Sequence, residues 1–322
     1  MSRLGSVLLR AVAAVVAFSA AAHAQDYPNR AVRLIIPFPP GGSNDVVGRM
    51  VATKLSEKLG KQVVVDNRAG AGGVVGSEAA AAAPPDGYTL LVISIAHAVN
   101  PWLYKLKHDP VKGFTPIAMI GAGPSVLAVN PGLPINSVKD LLEYGRKNPG
   151  KLNMAHAGIG TFQHLSSSLL LVMTKLDVVL VPFKGGAPAM IDVIAGHSHL
   201  VMGSLVQATG HLKSNKMRAL GVGGARRVSI LPDVPTVAEA GVPGYEADNW
   251  WGILGPAGLP KAIVDKLAAD IAAVQDAPEL QATFTREGAE VVKKGPAEFA
   301  KLIEIELAKW QKVVKEANIK AE

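Results

Sequence analysis

The residues best suited to chemistry form a strand, a Pro-Gly turn and a helix start near the beginning of the chain. Residues 31–45 have the sequence AVRLIIPFPPGGSND, in which an apolar run predicts a buried strand and the turn predicts a capped helix. Such a turn directs free backbone N–H groups and the positive end of a helix dipole at one point, which suits a carboxylate. An ordinary tight turn explains the same pattern. The candidate ligand-binding residues here are Phe38, Pro40, Gly41, Gly42, Ser43, Asn44 and Asp45.

The residues of this turn are expected to have different roles in ligand binding. Gly41 and Gly42 permit a close approach of the backbone to a ligand. Asp45 is expected to cap its helix or to orient the two glycines, because two carboxylates would repel each other. Phe38 is expected to form an apolar wall beside the ligand.

The first 24 residues have the features of a cleavable secretion signal. Arg3 and Arg10 lie beside an apolar run that is shorter than the roughly 20 residues a membrane span needs, and Ala22-His23-Ala24 is a small-x-small cleavage site. We therefore expect cleavage after Ala24 and a periplasmic location. The chain has no cysteine, which excludes disulfides and thiolate metal sites. Its net charge of +7 is too dispersed, and its aromatic content of 5% too low, for a nucleic-acid-binding protein.

Other motifs give weaker signals. Residues 70–72 (GAG) lack the third glycine of a dinucleotide-binding loop, so they are expected to form a structural turn. His197 and His199, two residues apart, face the same side of a strand and with His211 suggest a metal site, although an exposed turn pair fits the sequence better. No catalytic elbow, zinc-protease motif or P-loop is present, and Ser43 has no predicted base.

Strand and helix patterns alternate along the chain and predict an α/β fold of two lobes. The strands are nearly continuous runs of Val, Ile and Leu, which indicate parallel sheets covered on both faces. We expect residues 25–121 and 228–322 to form lobe 1 and residues 122–227 to form lobe 2, with the ligand cleft between them. Separate strands are expected at 115–120 and 125–129, with the chain crossing between the lobes near 113–123 and 222–229. Such a chain can close about a hinge.

Seven motifs in a fixed order carry a resemblance to a known family. They are residues 37–45 (PFPPGGSND), 66–73 (DNRAGAGG), 85–90 (PDGYTL), 148–153 (NPGKLN), 157–161 (AGIGT), 181–188 (VPFKGGAP) and 231–241 (LPDVPTVAEAG). From residue 27 onwards the chain resembles the periplasmic solute receptors of tripartite tricarboxylate transporters, often called Bug receptors. The resemblance implies a two-lobe periplasmic-binding-protein fold of the Venus-flytrap, type II-like kind, each lobe a mainly parallel sheet flanked by helices.

The resemblance also implies where a ligand is held. In the family, one strand–turn–helix from each lobe closes on a carboxylate like pincers. The matching positions are 38–45 in lobe 1 and 158–164 in lobe 2, with the loop 184–188 beside the second. His164 would donate to a ligand or pack against its helix, and Lys184 would neutralise a second carboxylate or remain solvated. The further candidate residues are Ser94, His97, Gly158, Ile159, Gly160, Thr161, His164, Lys184, Gly185, Ala187 and Gly203.

The chain departs from the family pattern in lobe 2. His156 and Ile159 replace a small residue and an Asn, and residues 197–204 (HSHLVMGS) replace QVDLMFDN, which removes an acidic and an amide group from the expected pocket wall. The grip on a carboxylate is retained, while the identity of the ligand stays open.

The sequence thus predicts a monomeric periplasmic receptor, without cofactor or catalytic activity, that binds a small organic carboxylate and delivers it to membrane permease subunits. A secreted α/β hydrolase, a metal-dependent enzyme that uses the three histidines, and a ligand sensor with a signalling partner are the alternatives. Metal analysis and the neighbouring genes would distinguish them.

Overall fold

The computed structural model describes residues 27–316 and 319–320 of the 322-residue chain. The expected secretion signal and its cleavage site lie outside these residues. None of the helices in the described ranges is long and apolar enough to cross a membrane.

The elements alternate as the apolar pattern predicts. The strands are β1 (Val32–Ile36), β2 (Val63–Asn67), β3 (Thr89–Ser94), β4 (Phe114–Val129), β5 (Leu152–His156), β6 (Val178–Pro182), β7 (Leu200–Ser204), β8 (Arg218–Val222) and β9 (Asp248–Pro256). The helices are α1 (Ser43–Leu59), α2 (Val74–Ala81), α3 (Ile95–Leu103), α4 (Val138–Lys147), α5 (Phe162–Thr174), α6 (Gly186–Ala195), α7 (Leu205–Lys213), α8 (Lys261–Asp276), α9 (Pro278–Arg286) and α10 (Pro296–Glu316).

Two groups of parallel strands lie on either side of a pair of antiparallel strands. In the first group, β1 pairs in parallel with β2 and β3. In the second, β5 pairs in parallel with β6 and β7. The strands β9 and β4 join the groups, because β9 is antiparallel to β3 and β4 is antiparallel to β9, β7 and β8. The two-lobe α/β fold with mainly parallel sheets is confirmed.

The strand β4 corrects the expectation of two separate strands at 115–120 and 125–129. It runs without interruption, pairing with β9 up to Pro124 and with β7 from Ser125 onwards. The sequence Gly121-Ala122-Gly123-Pro124 suggests a loop, yet Ala122 exchanges backbone hydrogen bonds with Glu290 and the ladder continues. The register of the pairing between β4 and β9 shifts between Met119 and Gly121, as at a β-bulge.

The inner strands β1, β3, β7 and β9 are buried on both faces, which explains their continuous apolar sequences, whereas the edge strands β2 and β6 are partly exposed. Leu34 and Val92 face a core that includes α1 and α8, whereas Ile35 and Ile93 face the opposite core. This period of two is the ordinary alternation of side chains along a strand.

Two strands end in serines, Ser94 of β3 and Ser204 of β7, directly before the helices α3 and α7. Ser94 pairs with Trp251, which pairs with Gly121 of β4, and Ser204 pairs with Ser125 of β4. The carboxyl ends of the two strand groups, with the helix N-termini that follow them, therefore face each other near the middle of β4.

Candidate ligand-binding site

Five helices of the described chain contribute their N-terminal ends to one small cavity between the lobes. Its volume is about 40 Å³. The helices are α1, α3, α5, α6 and α7, whose starts follow strands or the loops after them. The residues that line the cavity are Phe38, Pro39, Gly42, Ser43, Asn44, Ser94, Ala157, Thr161, Phe162, Gln163, Gly186, Ser204 and Gln207. No charged side chain is among these lining residues, so a bound anion would be held by neutral dipoles.

The lobe 1 wall is the start of α1. Gly42 is the N-cap, with an extended backbone (φ −75°, ψ 164°), and it accepts a hydrogen bond from the Val46 N–H at 2.9 Å. The N–H groups of the first turn have no partner within a helix, so Ser43 and Asn44 present donors to the cavity. The Asn44 side chain donates to Ser94 Oγ at 3.2 Å and thereby ties α1 to the start of α3.

Asp45 organises this wall from behind. Its Oδ2 accepts from the Gly41 N–H at 2.9 Å, and its Oδ1 accepts from Arg49 Nε at 2.9 Å and Asn67 Nδ2 at 2.8 Å. Burial by itself would raise the pKa of the Asp45 carboxyl, but the hydrogen bonds from Arg49, Gly41 and Asn67 outweigh it and the pKa is lowered. Asp45 is therefore an ionised positioning residue that holds Gly41 in its left-handed conformation (φ +79°).

The lobe 2 wall combines the starts of α5, α6 and α7. Thr161 caps α5: its Oγ1 accepts from the His164 N–H at 3.4 Å and donates to the Gly158 carbonyl at 2.6 Å. Gln163, in the first turn of α5, donates from Nε2 to Gln207 Oε1 of α7 at 3.1 Å. Gly186 fits between them, since a Cβ added there would lie 2.5 Å from Gln207 Oε1. A side chain at this position would fill the cavity.

The structure brings six of the residues expected from the sequence to the cavity wall. They are Phe38, Gly42, Ser43, Asn44, Ser94 and Thr161. The remaining candidate residues lie elsewhere: some where the lobes touch, some behind the loops and some at the surface.

Several of them form the contact between the lobes. A Cβ at Gly41 would lie 3.3 Å from Ala187 Cβ, and one at Gly185 would lie 2.8 Å from Pro39 Cγ. Across the same contact, the Tyr104 hydroxyl donates to the Ile159 carbonyl at 3.3 Å. The loops of the two lobes therefore contact each other directly.

Other candidate residues lie further from the cavity. A Cβ at Gly160 would lie 2.9 Å from Leu103 Cδ1 of lobe 1. Gly158, at φ +108°, donates its N–H to His156 Nδ1. Gly203 is buried within β7, where a Cβ would meet Met190. Pro40 and Lys184 are exposed and do not line the cavity.

The candidate histidines of the cleft are held by protein contacts. His97 is buried, its Nε2 lies 2.8 Å from the Pro110 carbonyl, and burial lowers its pKa to about 4. It lines a separate small cavity with Asn100 and Gly72. His164 packs against His156 and accepts from the Gly160 N–H through Nδ1 at 3.4 Å.

The three histidines suggested as a metal site do not meet. His197 is exposed and contacts Asp192, whereas His199 Nδ1 accepts from the Asn153 N–H at 2.9 Å. His211 lies in the last turn of α7. Among the described residues no group of three or more His, Asp or Glu side chains is arranged to hold a metal ion.

Seven residues of the cavity wall were not singled out individually from the sequence. They are Pro39, Ala157, Phe162, Gln163, Gly186, Ser204 and Gln207. Pro39, Phe162, Gln163 and Gly186 lie within the segments 38–45, 158–164 and 184–188 that the resemblance implies, whereas Ala157, Ser204 and Gln207 lie outside them. Ser204 carried a usable signal, because it stands where a buried strand ends and a helix starts. Gln207 carried none, since nothing in its local sequence shows that its side chain meets Gln163.

Comparisons with known proteins identify the family of the chain. The family described as "Tripartite tricarboxylate transporter family receptor" matches residues 47–319. Protein BugT of Bordetella pertussis is 34% identical over 95% of this chain and 95% of its own length. A structure from R. palustris, Rpa4515 with adipate, is 35% identical and has a TM-score of 0.89 over 92% of this chain and 100% of that one. The periplasmic binding protein BugD is 34% identical, with a TM-score of 0.88 over 92% and 100% of the two chains. The chain belongs to the tripartite tricarboxylate transporter receptor family, the periplasmic solute receptors that include the Bug proteins.

Proposed function

We propose that this protein is a periplasmic receptor that captures a small organic carboxylate between its lobes and delivers it to the membrane permease subunits of a tripartite transporter. The observation that carries the proposal is the convergence of five helix N-termini on one cavity within the described chain. A helix N-terminus contributes about 0.3–1 kcal/mol towards an anion at an exposed site and up to roughly 2 kcal/mol where it is partly buried. The adipate in the Rpa4515 structure supports a carboxylate as the ligand.

The strand pairing supports the proposed lobes. β9 pairs with β4 as far as Pro124 and connects β4 to β3, β1 and β2, whereas β7 and β8 pair with β4 from Ser125 onwards and β7 connects it to β5 and β6. This pattern supports a division between the lobes near residues 121–124.

Hydrogen bonds support a return to lobe 1 later than residue 228, because Val237 donates to the Val222 carbonyl and Tyr245 donates to the Ser166 carbonyl, and both carbonyls lie within residues 122–227. We propose that the lobes close about β4 and β9, with cleavage after Ala24 and export to the periplasm preceding folding.

Isothermal titration of the protein lacking residues 1–24 with mono-, di- and tricarboxylates tests the receptor function. We expect one ligand per chain and a higher melting temperature with that ligand, because a ligand that binds only the native state stabilises it. A folded protein that binds none of the carboxylates would refute the proposal. Copurification of the exported protein with permease subunits, in the presence and absence of that ligand, tests delivery.

A further inference from the structure

The amide pair of Gln163 and Gln207 forms a distinct part of the lobe 2 wall. The single hydrogen bond between the pair uses Gln163 Nε2 and Gln207 Oε1. Gln163 Oε1 and Gln207 Nε2 are buried without a hydrogen-bond partner among the described residues. Gln163 as a whole is only 4% exposed, and both residues line the cavity. Exchanging the orientation of both amides leaves the same inventory, one carbonyl and one amino group.

Ser204 adds a third unpartnered group to the same wall. Its Oγ is buried without a hydrogen-bond partner within the described chain, and the residue is 1% exposed. Ser204 is the N-cap of α7, yet its side chain makes no capping hydrogen bond. Buried polar groups without partners are costly, so three of them around one cavity indicate that a ligand completes their hydrogen bonds.

The chemistry of these groups discriminates between ligands. A carboxylate accepts hydrogen bonds only, so it would satisfy Gln207 Nε2 but would face the lone pairs of Gln163 Oε1. No Lys or Arg side chain lines the cavity to offset that repulsion, and no Asp or Glu lines it to attract an ammonium group. A neutral group that both donates and accepts would satisfy both amides at once. Hydroxyl and carboxamide groups have this property.

We infer that Gln163 and Gln207 form a subsite for a neutral hydrogen-bonding group, so that the ligand carries one carboxylate and, at its other end, a hydroxyl or a carboxamide. The inference rests on the proposed receptor function and specifies its ligand class. The carboxylate lies against the free N–H groups of α1, on the opposite wall of the cavity. The carboxamide or hydroxyl donates to Gln163 Oε1 and accepts from Gln207 Nε2.

Pairs of ligands that differ only at the far end test the subsite. Succinamate and succinate have almost the same shape, as do glutaramate and glutarate, and adipamate and adipate. Titration calorimetry at pH 7 and fixed salt concentration compares each pair at three chain lengths. We expect the half-amide to bind about tenfold or more tightly than its dicarboxylate at the length that fits best, because only the half-amide satisfies both glutamines.

Substitutions of the two glutamines test whether they cause the preference for the half-amide. The double substitution Gln163→Met and Gln207→Met keeps the side-chain length and removes both amides, so the preference for the half-amide is expected to disappear. Gln281→Met is the matched control, since Gln281 is exposed on α9. Circular dichroism and thermal melting confirm that each variant is folded. Should the double variant fail to fold, Gln207→Met alone is expected to reduce the preference several-fold.

The possible results of these titrations distinguish a failure of the receptor function from a failure of the glutamine subsite. If the folded protein binds neither member of any pair, nor any other carboxylate, the receptor function fails and the subsite fails with it. If a dicarboxylate binds as tightly as its half-amide or more tightly, the subsite is overturned and the receptor function stands. A half-amide preference that survives in the double variant also overturns the subsite, because the glutamines would not be its source.

Discussion

The imidazole rings of His156 and His164 lie with their centroids 4.8 Å apart and their planes tilted by 42°. His156 ends β5 and His164 lies in the first turn of α5, so the pair brackets the turn that contacts lobe 1. Each ring accepts a backbone N–H of that turn through Nδ1, from Gly158 to His156 and from Gly160 to His164. Both rings are therefore held as neutral imidazoles with the proton on Nε2.

Acid is expected to destabilise the protein through this pair. Burial, and next the charge that His156 would carry, lower the pKa of His164 to about 4, and burial also lowers the pKa of His156. The unfolded chain binds a proton near pH 6.5 whereas the folded chain resists it, so stability is lost as the pH falls from about 6.5 towards 4. We expect His164 to account for a loss of about 3 kcal/mol across this window.

Thermal melting between pH 4 and 8 measures this effect. The variant His164→Gln is expected to reduce the pH dependence, since an amide does not titrate in this range, while His97 and His156, whose pKa values burial also lowers, keep their contributions. His197→Gln is the control, because the ring of His197 is exposed at the surface. Equal pH dependence of His164→Gln and the unmodified protein would contradict the assignment.

Removing the Asp45 carboxylate is expected to weaken ligand binding without removing a group that lines the cavity. Asp45→Ala releases the N–H of Gly41 and the side chains of Arg49 and Asn67 from their shared acceptor. A loss of about 1–3 kcal/mol in the free energy of unfolding is expected, with an approximately tenfold higher Kd for the carboxylate. Denaturant titration and calorimetry measure the two effects.

Asp140→Ala provides the comparison, because Asp140 also accepts a backbone hydrogen bond, from Asn136, but lies at the start of α4. Its substitution is expected to leave the Kd unchanged. A Kd for Asp45→Ala equal to that of the unmodified protein would show that the turn keeps its shape without this carboxylate.

Closure of the lobes is expected to be sensitive to a single methyl group at Gly72. A Cβ at Gly72 would lie 3.1 Å from the Ile159 carbonyl of the opposite lobe, and the residue has φ +61°. Gly60 has nearly the same backbone (φ +63°) with nothing within 4 Å of an added Cβ. Gly72→Ala and Gly60→Ala therefore share a backbone cost of about 1 kcal/mol, and only Gly72→Ala interferes between the lobes.

The expected result is a Kd raised several-fold in Gly72→Ala and unchanged in Gly60→Ala, at similar melting temperatures. Small-angle X-ray scattering with saturating ligand should show a larger radius of gyration for Gly72→Ala than for Gly60→Ala. Equal affinities in the two variants would mean that the contact between Gly72 and Ile159 does not limit closure.

Lys184 is expected to contribute little to the affinity. It is exposed and does not line the cavity, whereas the lining groups are neutral. Lys184→Met should change the Kd by less than about threefold, because interactions between exposed charges are weakened by solvent and salt. Titration at two salt concentrations checks this, and a tenfold loss of affinity would show that the lysine reaches the ligand.

The sequence predicted the elements with clear local signals. Val138–Lys147 begins after Ser137, whose hydroxyl accepts from the Asp140 N–H, and Phe162–Thr174 begins after Thr161, which caps it in the same way. A polar N-cap followed by apolar spacing is a local feature, so it can be recognised without tertiary information. These signals predict helices over residues 138–147 and 162–174, which are the bounds in the structure.

Features that depend on distant parts of the chain were not predictable in this way. The helices α3 and α7 start directly after Ser94 and Ser204, so no loop separates strand from helix. Gln163 and Gln207 meet only because β5 and β7 are neighbours in the sheet. The part of the cavity wall that these two glutamines form therefore depends on the order of the strands in the sheet, and local sequence patterns do not contain that order.

The continuous strand β4 has a practical consequence for building a fluorescent biosensor from this receptor. Because β4 hydrogen-bonds to β9 on one side of Pro124 and to β7 and β8 beyond it, a reporter domain inserted there would split two sheets at once. The turn at Ala257 and Gly258 is exposed, and an added Cβ at Gly258 meets nothing within 4 Å. An insertion at this turn leaves every strand pairing intact and still joins β9 to α8, so the reporter would be attached directly to the strand that pairs with β4 on the lobe 1 side of Pro124.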